Sequence, residues 1–265
     1  MAGGSRRWLA AGSLAVLLLL YLPVAVLIVF SFNASRFSAV WQGFTLQWYR
    51  ALAVDESLLA ALQNSLIVAS VSTVFATVLG LGVALGVHRR AASDRDGIAG
   101  LLEGALLLPL VIPEVMMGVA LLLFFVLIKL PLGLLTIMLG HITFNLPVVV
   151  IIVLARLRKL DPALEEAAWD LGATRWQAFR GVTLPLLMPA LVGGMLMAFT
   201  ISLDDFIVTF FTAGPGSTTL PLKVYSMLKS GFSPVINALS TILVLVSMGL
   251  LGFALFFQRE TVRQK

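Results

Sequence analysis

The sequence predicts an all-α membrane protein with six transmembrane helices, and three observations carry that prediction. Of the 265 residues, 60% are hydrophobic and only 12% charged, with a mean hydropathy of +1.03, far from the composition of a soluble domain. Six apolar runs, each near the roughly 20 residues that a helix needs to cross a bilayer, are separated by polar or basic segments. Lysine and arginine favour alternate loops, the pattern that orients a polytopic chain. Six spans leave no length for a sizeable soluble domain, so a single integral domain over residues 1–265 is expected. The chain has no cysteine, which excludes disulfides, thiolate metal sites and thiol catalysis. A net charge of +5 is accounted for by cytoplasmic loops without invoking nucleic acid.

The first run, Trp8 to Phe32, follows Arg6 and Arg7 and is too long for the core of a cleavable signal, so it reads as span 1 entering from the cytoplasm. A polar, aromatic stretch from Asn33 to Asp55 leads to span 2, about 62–87, which ends at the basic loop HRRAASDRDG. Span 3 covers about 101–130 and is interrupted by Pro109 and Pro113. The short turn KLPLG returns the chain through span 4, about 134–154. A charged loop then precedes span 5, about 184–211. An amphipathic piece near Leu220 to Ser230 precedes span 6, about 235–257. With this threading only Arg36, Arg50, Lys129, Lys223 and Lys229 of the 18 basic residues lie on the outer side. Both termini and the loop after span 4 are therefore expected in the cytoplasm.

That loop, EEAAWDLGATRWQAFRGVTLPLLMP from Glu165 to Pro189, is charged and partly amphipathic in an otherwise strongly apolar chain. Asp161 and Pro162 suit the N-cap and first position of a helix. Leu164, Ala167, Ala168 and Leu171 share one helical face, and Gly172 can take the left-handed conformation that ends a helix. Thr174 with Gln177 predicts a capping box that starts a second helix toward Pro185. Two uses fit this shape. One is an amphipathic anchor on lipid headgroups. The other is a docking element for a soluble partner, with Ala167 and Ala168 allowing close approach and Glu165, Glu166 and Asp170 giving an acidic rim unsuited to anionic lipid.

The segment resembles the EAA loop of ATP-binding-cassette (ABC) importer permeases: Glu-Ala-Ala, three residues, Gly, nine residues, Ile, one residue, Leu-Pro. Glu166, Ala167, Ala168, Gly172, Leu184 and Pro185 match, and Val182 stands for the isoleucine. The resemblance implies a type I importer (MetI-like) permease fold in which Asp161 to Gly172, within the loop 161–185, is a coupling helix seated on a nucleotide-binding subunit. The chain itself has no Gly-x-x-x-x-Gly-Lys-Ser/Thr phosphate cradle and no metal-binding spacing. It is therefore expected to be non-catalytic, with no cofactor of its own, ATP and Mg²⁺ being bound by a partner ATPase. His88 and His141 stand alone, as structural hydrogen-bonders commonly do.

Ionisable residues inside spans are costly and are functional candidates by default. Glu114 follows Pro109 and Pro113 and, at about 1.5 Å per residue along a straight helix, falls near mid-membrane. Asp204 and Asp205 sit in the outer half of span 5. Three carboxylates with no basic residue at comparable depth suit the path of a cation; alternatively a carboxylate caps a helix or pairs with a neighbouring subunit. Tyr225 and Lys229 share a helical face near the outer mouth. Tyr225 suits an ammonium by a cation–π contact. Lys229 reads either as a gate paired with Asp204 or Asp205, or as a snorkelling lysine beside an aromatic belt.

The segments SFNASRFSAVWQGFTLQWY, HITFNLPVVV, TISLDDFIVTFF, GPG at Gly214 to Gly216 and LPLKVYSMLKSGFSPVINALSTIL, in order over most of the chain, resemble permeases of the spermidine/putrescine type. The resemblance implies a second permease subunit, two ATPase subunits, a periplasmic polyamine-binding protein and an inner-membrane location. A proton-coupled secondary transporter is the reading from another class; it predicts internal repeats with broken helices at corresponding positions, which the sequence does not display.

Overall fold

The computed structural model describes residues 2–36, 40–92, 97–231, 234–246 and 248. It is helical throughout, the single isolated β-bridge among the described residues being Asn33 with Phe44. Two compact units divide it: residues 1–59 with 223–265, and residues 60–222.

In the first unit, α1 (Ala2–Phe30) is mainly apolar from Trp8 onward. None of its Gly12–Phe30 window is buried, a surface that only lipid or another protein can cover. The chain then folds around Asn33, whose side chain is buried. Its Nδ2 donates to the Val40 carbonyl at 2.8 Å, and its Oδ1 accepts from the Gln42 amide at 2.9 Å. Trp48 Nε1 donates to the Asn33 carbonyl at 2.7 Å, and Phe32 packs between Phe44 and Tyr49. A short helix α2 (Gln47–Val54) follows.

Asp55 separates α2 from α3 (Glu56–Ala92) and caps the latter, Oδ1 accepting from Ser57 Oγ at 2.6 Å and from the Leu58 amide at 3.1 Å. The hydrogen bond from Ser57, with help from the Leu58 amide and the Lys223 charge, holds this carboxyl below its ordinary value of 3.8. A carboxylate so lowered contributes its stability fully above that ordinary value and loses it as the pH falls through its own, lower one. Asp55→Ala is expected to cost about 0.5–2 kcal/mol at neutral pH, as N-cap losses do. In thermal unfolding of the detergent-solubilised protein, the gap to wild type should narrow below pH 3.8.

The second unit holds the apolar core. It runs through α3, α4 (Ile98–Val111), α5 (Glu114–Leu127), α6 (Leu134–Leu157), α7 (Ala163–Asp170), α8 (Arg175–Ala178), α9 (Leu184–Asp204), α10 (Ile207–Thr212) and the start of α11 (Leu220–Lys229). α6 is its axis. Val149, Val150, Val153 and Leu154 of α6 pack with Leu187, Leu191 and Ala198 of α9 and with Ala84 and Val87 of α3. Over half of the α6 apolar window is buried. A second cluster joins Met117, Phe144 and Val208, and here α10 is seated close to its neighbours. A Cβ on Gly118 would meet Phe211 Cδ2 at 2.6 Å, and one on Gly140 would meet Val208 Cγ1 at 2.9 Å. At the far end of α6, Arg158 pairs with Glu103 at 2.5 Å across a largely exposed surface, worth at most about 1 kcal/mol.

Among the described residues, four helices are long and apolar enough to cross a membrane, or five if the pair α4 and α5 counts as one span. That pair is bent by 100°. The cause is local: Pro113 has no N–H to donate, and Ile112 before it is pushed into extended backbone (ψ 130°). Span 3 is thus not one straight helix, and depth reckoned at 1.5 Å per residue along it does not apply to Glu114. A further apolar helix, α12 (Pro234–Val246), covers the start of the sixth expected span; most of residues 247–257 lies outside the described residues. The helix through span 5 also breaks, at Asp205 and Phe206, between α9 and α10.

Candidate functional site

The two helix breaks open onto one cavity of about 700 Å³, within the range of small-molecule sites. Glu114 enters at the first turn of α5, immediately after the Pro113 bend, and Asp204 and Asp205 enter at the end of α9. Met117, Phe144, Met197, Ile201 and Phe206 supply apolar walls, and among the described residues no lysine or arginine lines the cavity. Carboxylates from two distant segments, Glu114 and the adjacent pair Asp204 and Asp205, therefore share one cavity, with no counter-charge in its wall among the described residues.

Their environments differ. Glu114 and Asp204 are exposed. Asp205 has a side chain only 6% exposed, with its oxygens occupied by α10. Oδ2 accepts from the Thr209 amide and from Thr209 Oγ1, both at 2.8 Å, and Oδ1 accepts from the Val208 amide at 3.3 Å. Oδ2 also lies 3.2 Å from His141 Nε2. Of the two uses weighed for the aspartates, cation contact and helix capping, the capping geometry belongs to Asp205. Asp204, its neighbour, is left facing the cavity.

His141 is what sequence reasoning left aside. Only 1% exposed, it bridges α9 and α10, with Nδ1 at 2.6 Å from Ser202 Oγ and Nε2 at 3.0 Å from Thr209 Oγ1. Its spacing to these partners, 61 and 68 residues, leaves no local motif; the available signal was an imidazole in an apolar run that also contains Asn145. Among the described residues no group of three or more histidines, cysteines or carboxylates could hold a metal.

The loop after α6 forms a second site. Asp161 Oδ1 accepts from the Ala163 amide at 3.0 Å, starting α7. The helix ends in a Schellman turn, with Ala173 N–H donating to the Ala168 carbonyl, Gly172 N–H donating to that of Trp169, and Gly172 at φ +86°. Thr174 and Gln177 cap each other reciprocally to start α8, which passes through a π-helical turn, Phe179–Thr183, into α9 with Pro185 in its first turn. No residue of α7 is buried. Leu164, Trp169, Leu171 and Trp176 are exposed, Leu171 to 89%, and Ala167, Glu166 and Asp170 are exposed with them. Ala168 and Leu184 are half-buried. Glu165 departs from the acidic rim: its carboxylate turns inward and accepts from Thr183 Oγ1, tying α7 to the π turn below α9. A small cleft of about 130 Å³ between α7 and the ends of α3, α6 and α9 includes Glu165, Glu166, His88 and Arg89. Tyr225 and Lys229 lie in the first unit on α11, one turn apart and both exposed.

The fold of the chain is that of a type I ABC importer permease. A bacterial alginate ABC transporter, solved with its alginate-pentasaccharide-bound periplasmic protein, superposes with a TM-score of 0.71 at 19% identity over 94% of this chain and 93% of that one. The chain belongs to the family of binding-protein-dependent transport system inner membrane components, whose model matches residues 76–262. It is 43% identical over 229 residues to the spermidine/putrescine transport system permease protein PotC of Escherichia coli K12, covering 86% of this chain and 85% of PotC. With the putrescine transport system permease protein PotI of the same strain it shares 40% over 245 residues, 90% of this chain and 85% of PotI. The chain is thus a non-catalytic membrane component of an ABC importer, homologous to polyamine permeases.

Proposed function

We propose that the chain imports polyamines as one permease half of a binding-protein-dependent ABC transporter. The observation that carries this is the cavity in which Glu114, Asp204 and Asp205 meet without a basic residue among those described; likeness to PotC and PotI supports it. A polyamine is a chain of ammonium groups joined by methylenes. Carboxylates attract the former, and Met117, Phe144, Met197 and Ile201 accommodate the latter. Glu114 and Asp204 are the carboxylates that meet passing ammonium groups, as weak, separated sites; Asp205 holds the break that presents Asp204. Tyr225 and Lys229, one turn apart on α11, are the further candidates for substrate contact, the tyrosine ring suiting an ammonium group.

In this reading a single permease domain of six spans has both termini in the cytoplasm. A second permease subunit completes the path, and a periplasmic polyamine-binding protein delivers the substrate. Two copies of an ATPase bind ATP and Mg²⁺, and α7 with Glu165, Glu166, Ala167, Ala168, Asp170 and Gly172 is the knob through which they act. The exposed apolar face of α7 and α8 supports docking over burial within the chain. α7 moves as a rigid body with the π turn and α9, between outward- and inward-facing packings. The test is uptake of labelled spermidine and putrescine into proteoliposomes holding the whole complex, with ATP inside and loaded binding protein outside. Uptake that requires both is the expected result. ATP-dependent uptake of a different small solute, with none of either polyamine, would overturn the substrate assignment.

A further inference from the structure

Among the described residues, a single polar side chain without charge lines the cavity, the hydroxyl of Thr200; the other polar groups in its wall are the carboxylates of Glu114, Asp204 and Asp205. Thr200 lies on α9 four residues before Asp204. At about 1.5 Å per residue the two are about 6 Å apart along the axis and project from nearly the same face. Both are exposed. Ile201 and Met197 complete this stripe of the wall, while Ala198 and Ser202, to one side of it, are buried in the protein.

The hydroxyl is oriented. Thr200 Oγ1 donates to the Leu196 carbonyl one turn earlier at 2.9 Å, a bond that a threonine within a helix readily makes. With its proton so committed, the oxygen offers the cavity only lone pairs. Such an acceptor suits an ammonium group and gives nothing to an anion. Asp205 does not compete for the same ligand group, because its oxygens accept from Val208 and Thr209 of α10.

An extended chain advances about 3.3–3.6 Å for every three bonds, or about 1.2 Å per bond. Two nitrogens joined by four methylenes are five bonds apart, so about 6 Å; three methylenes give about 5 Å and five give about 7 Å on the same scale. The four-methylene spacing is the one that matches the step from Asp204 to Thr200.

We propose that Thr200 is a substrate-contact residue that reads the spacing between nitrogens: one ammonium group rests on the Asp204 carboxylate, the next donates to Thr200 Oγ1, and the methylenes between them lie along Ile201. The ligand class is a diamine unit with four methylenes. Asp204 alone would hold any amine, whatever its length. A neutral second acceptor adds a length preference without the deep well that a second anion at this spacing would make. The inference rests on the polyamine reading above.

The experiment uses the complete complex in nanodiscs of zwitterionic lipid, without binding protein, so that the selectivity of delivery does not enter. Putrescine, which has four methylenes, and its homologues with three and five are each titrated and followed by saturation-transfer NMR, which reads weak binding. Wild type should bind putrescine about threefold to tenfold more tightly than either homologue, the worth of one hydrogen bond to a charged donor in competition with water. Thr200→Val keeps the shape and removes the oxygen, and it should level the three affinities. Thr200→Ser keeps the hydroxyl and should restore the preference. Thr200 is exposed, so neither change disturbs the packed side of α9. Asp204→Asn should weaken all three ligands, which places them in this cavity.

Equal affinities in wild type, or a putrescine preference that survives Thr200→Val, overturns the proposal. So does the absence of binding by all three diamines. Either result, obtained while the complex still imports spermidine or putrescine, leaves the substrate reading standing and Thr200 an ordinary helical threonine; loss of uptake of both polyamines removes the substrate reading and this inference together.

Discussion

Asp204→Asn is expected to lower polyamine uptake by at least about tenfold and to leave the fold untouched, whereas Asp205→Ala is expected to cost the fold itself. The two carboxylates are adjacent in sequence and opposite in circumstance. Asp204 is exposed to the cavity and makes none of the contacts that hold α9 to α10. On the proposed cation path, removing its charge takes away one charge-assisted interaction with an ammonium group, worth about 1.5–3 kcal/mol, or roughly tenfold to a hundredfold. Its stability change should stay within about 0.5 kcal/mol. Asp205 accepts from two amides, a hydroxyl and an imidazole at 6% exposure. Truncation leaves those donors facing an apolar interior, and breaking such a buried pair costs about 3–5 kcal/mol. Thermal unfolding in detergent checks the second half of the prediction and vesicle uptake the first. Equal loss of stability in both variants would remove the division of labour.

That division was only half legible in the sequence. LDDF within an apolar run announces that something pays for two carboxylates, but nothing local tells which one caps a helix. The answer depends on α10 restarting at Ile207 and on a histidine 64 residues earlier, both tertiary facts. The bend before Glu114 was closer to the surface of the sequence, because a proline acts on its own backbone and on the residue before it; the 100° angle was not, since proline fixes where a helix breaks and not where the chain goes next. The loop helix was the most readable part. Asp161 and Pro162, Gly172, and the pair Thr174 and Gln177 act within four residues of themselves, and the structure shows each of these start and stop signals in use. Glu165 is the exception there, since its turn toward Thr183 depends on a π-helical turn that no short pattern encodes.

Gly172→Val is expected to uncouple the transporter without unfolding it. At φ +86° the residue sits in the left-handed region, where a side chain costs about 1–2 kcal/mol and a β-branched one more. No residue of α7 is buried, so little of the apolar core registers the change and thermal unfolding should move by only a few degrees. The turn relieves the strain by rotating, and rotation re-aims Leu164, Trp169 and Leu171, the exposed face through which we propose that the ATPase docks. The Glu165 contact to Thr183 resists that rotation at one end only, because Gly172 lies beyond the far end of α7. Uptake should therefore fall by at least about tenfold, corresponding to 1.4 kcal/mol of lost docking, together with co-purification of the ATPase subunit. Gly172→Asn is the control: asparagine tolerates the left-handed conformation and should keep most of both. If valine at this position left ATPase binding and uptake at wild-type levels, α7 would not be the element through which the motor acts.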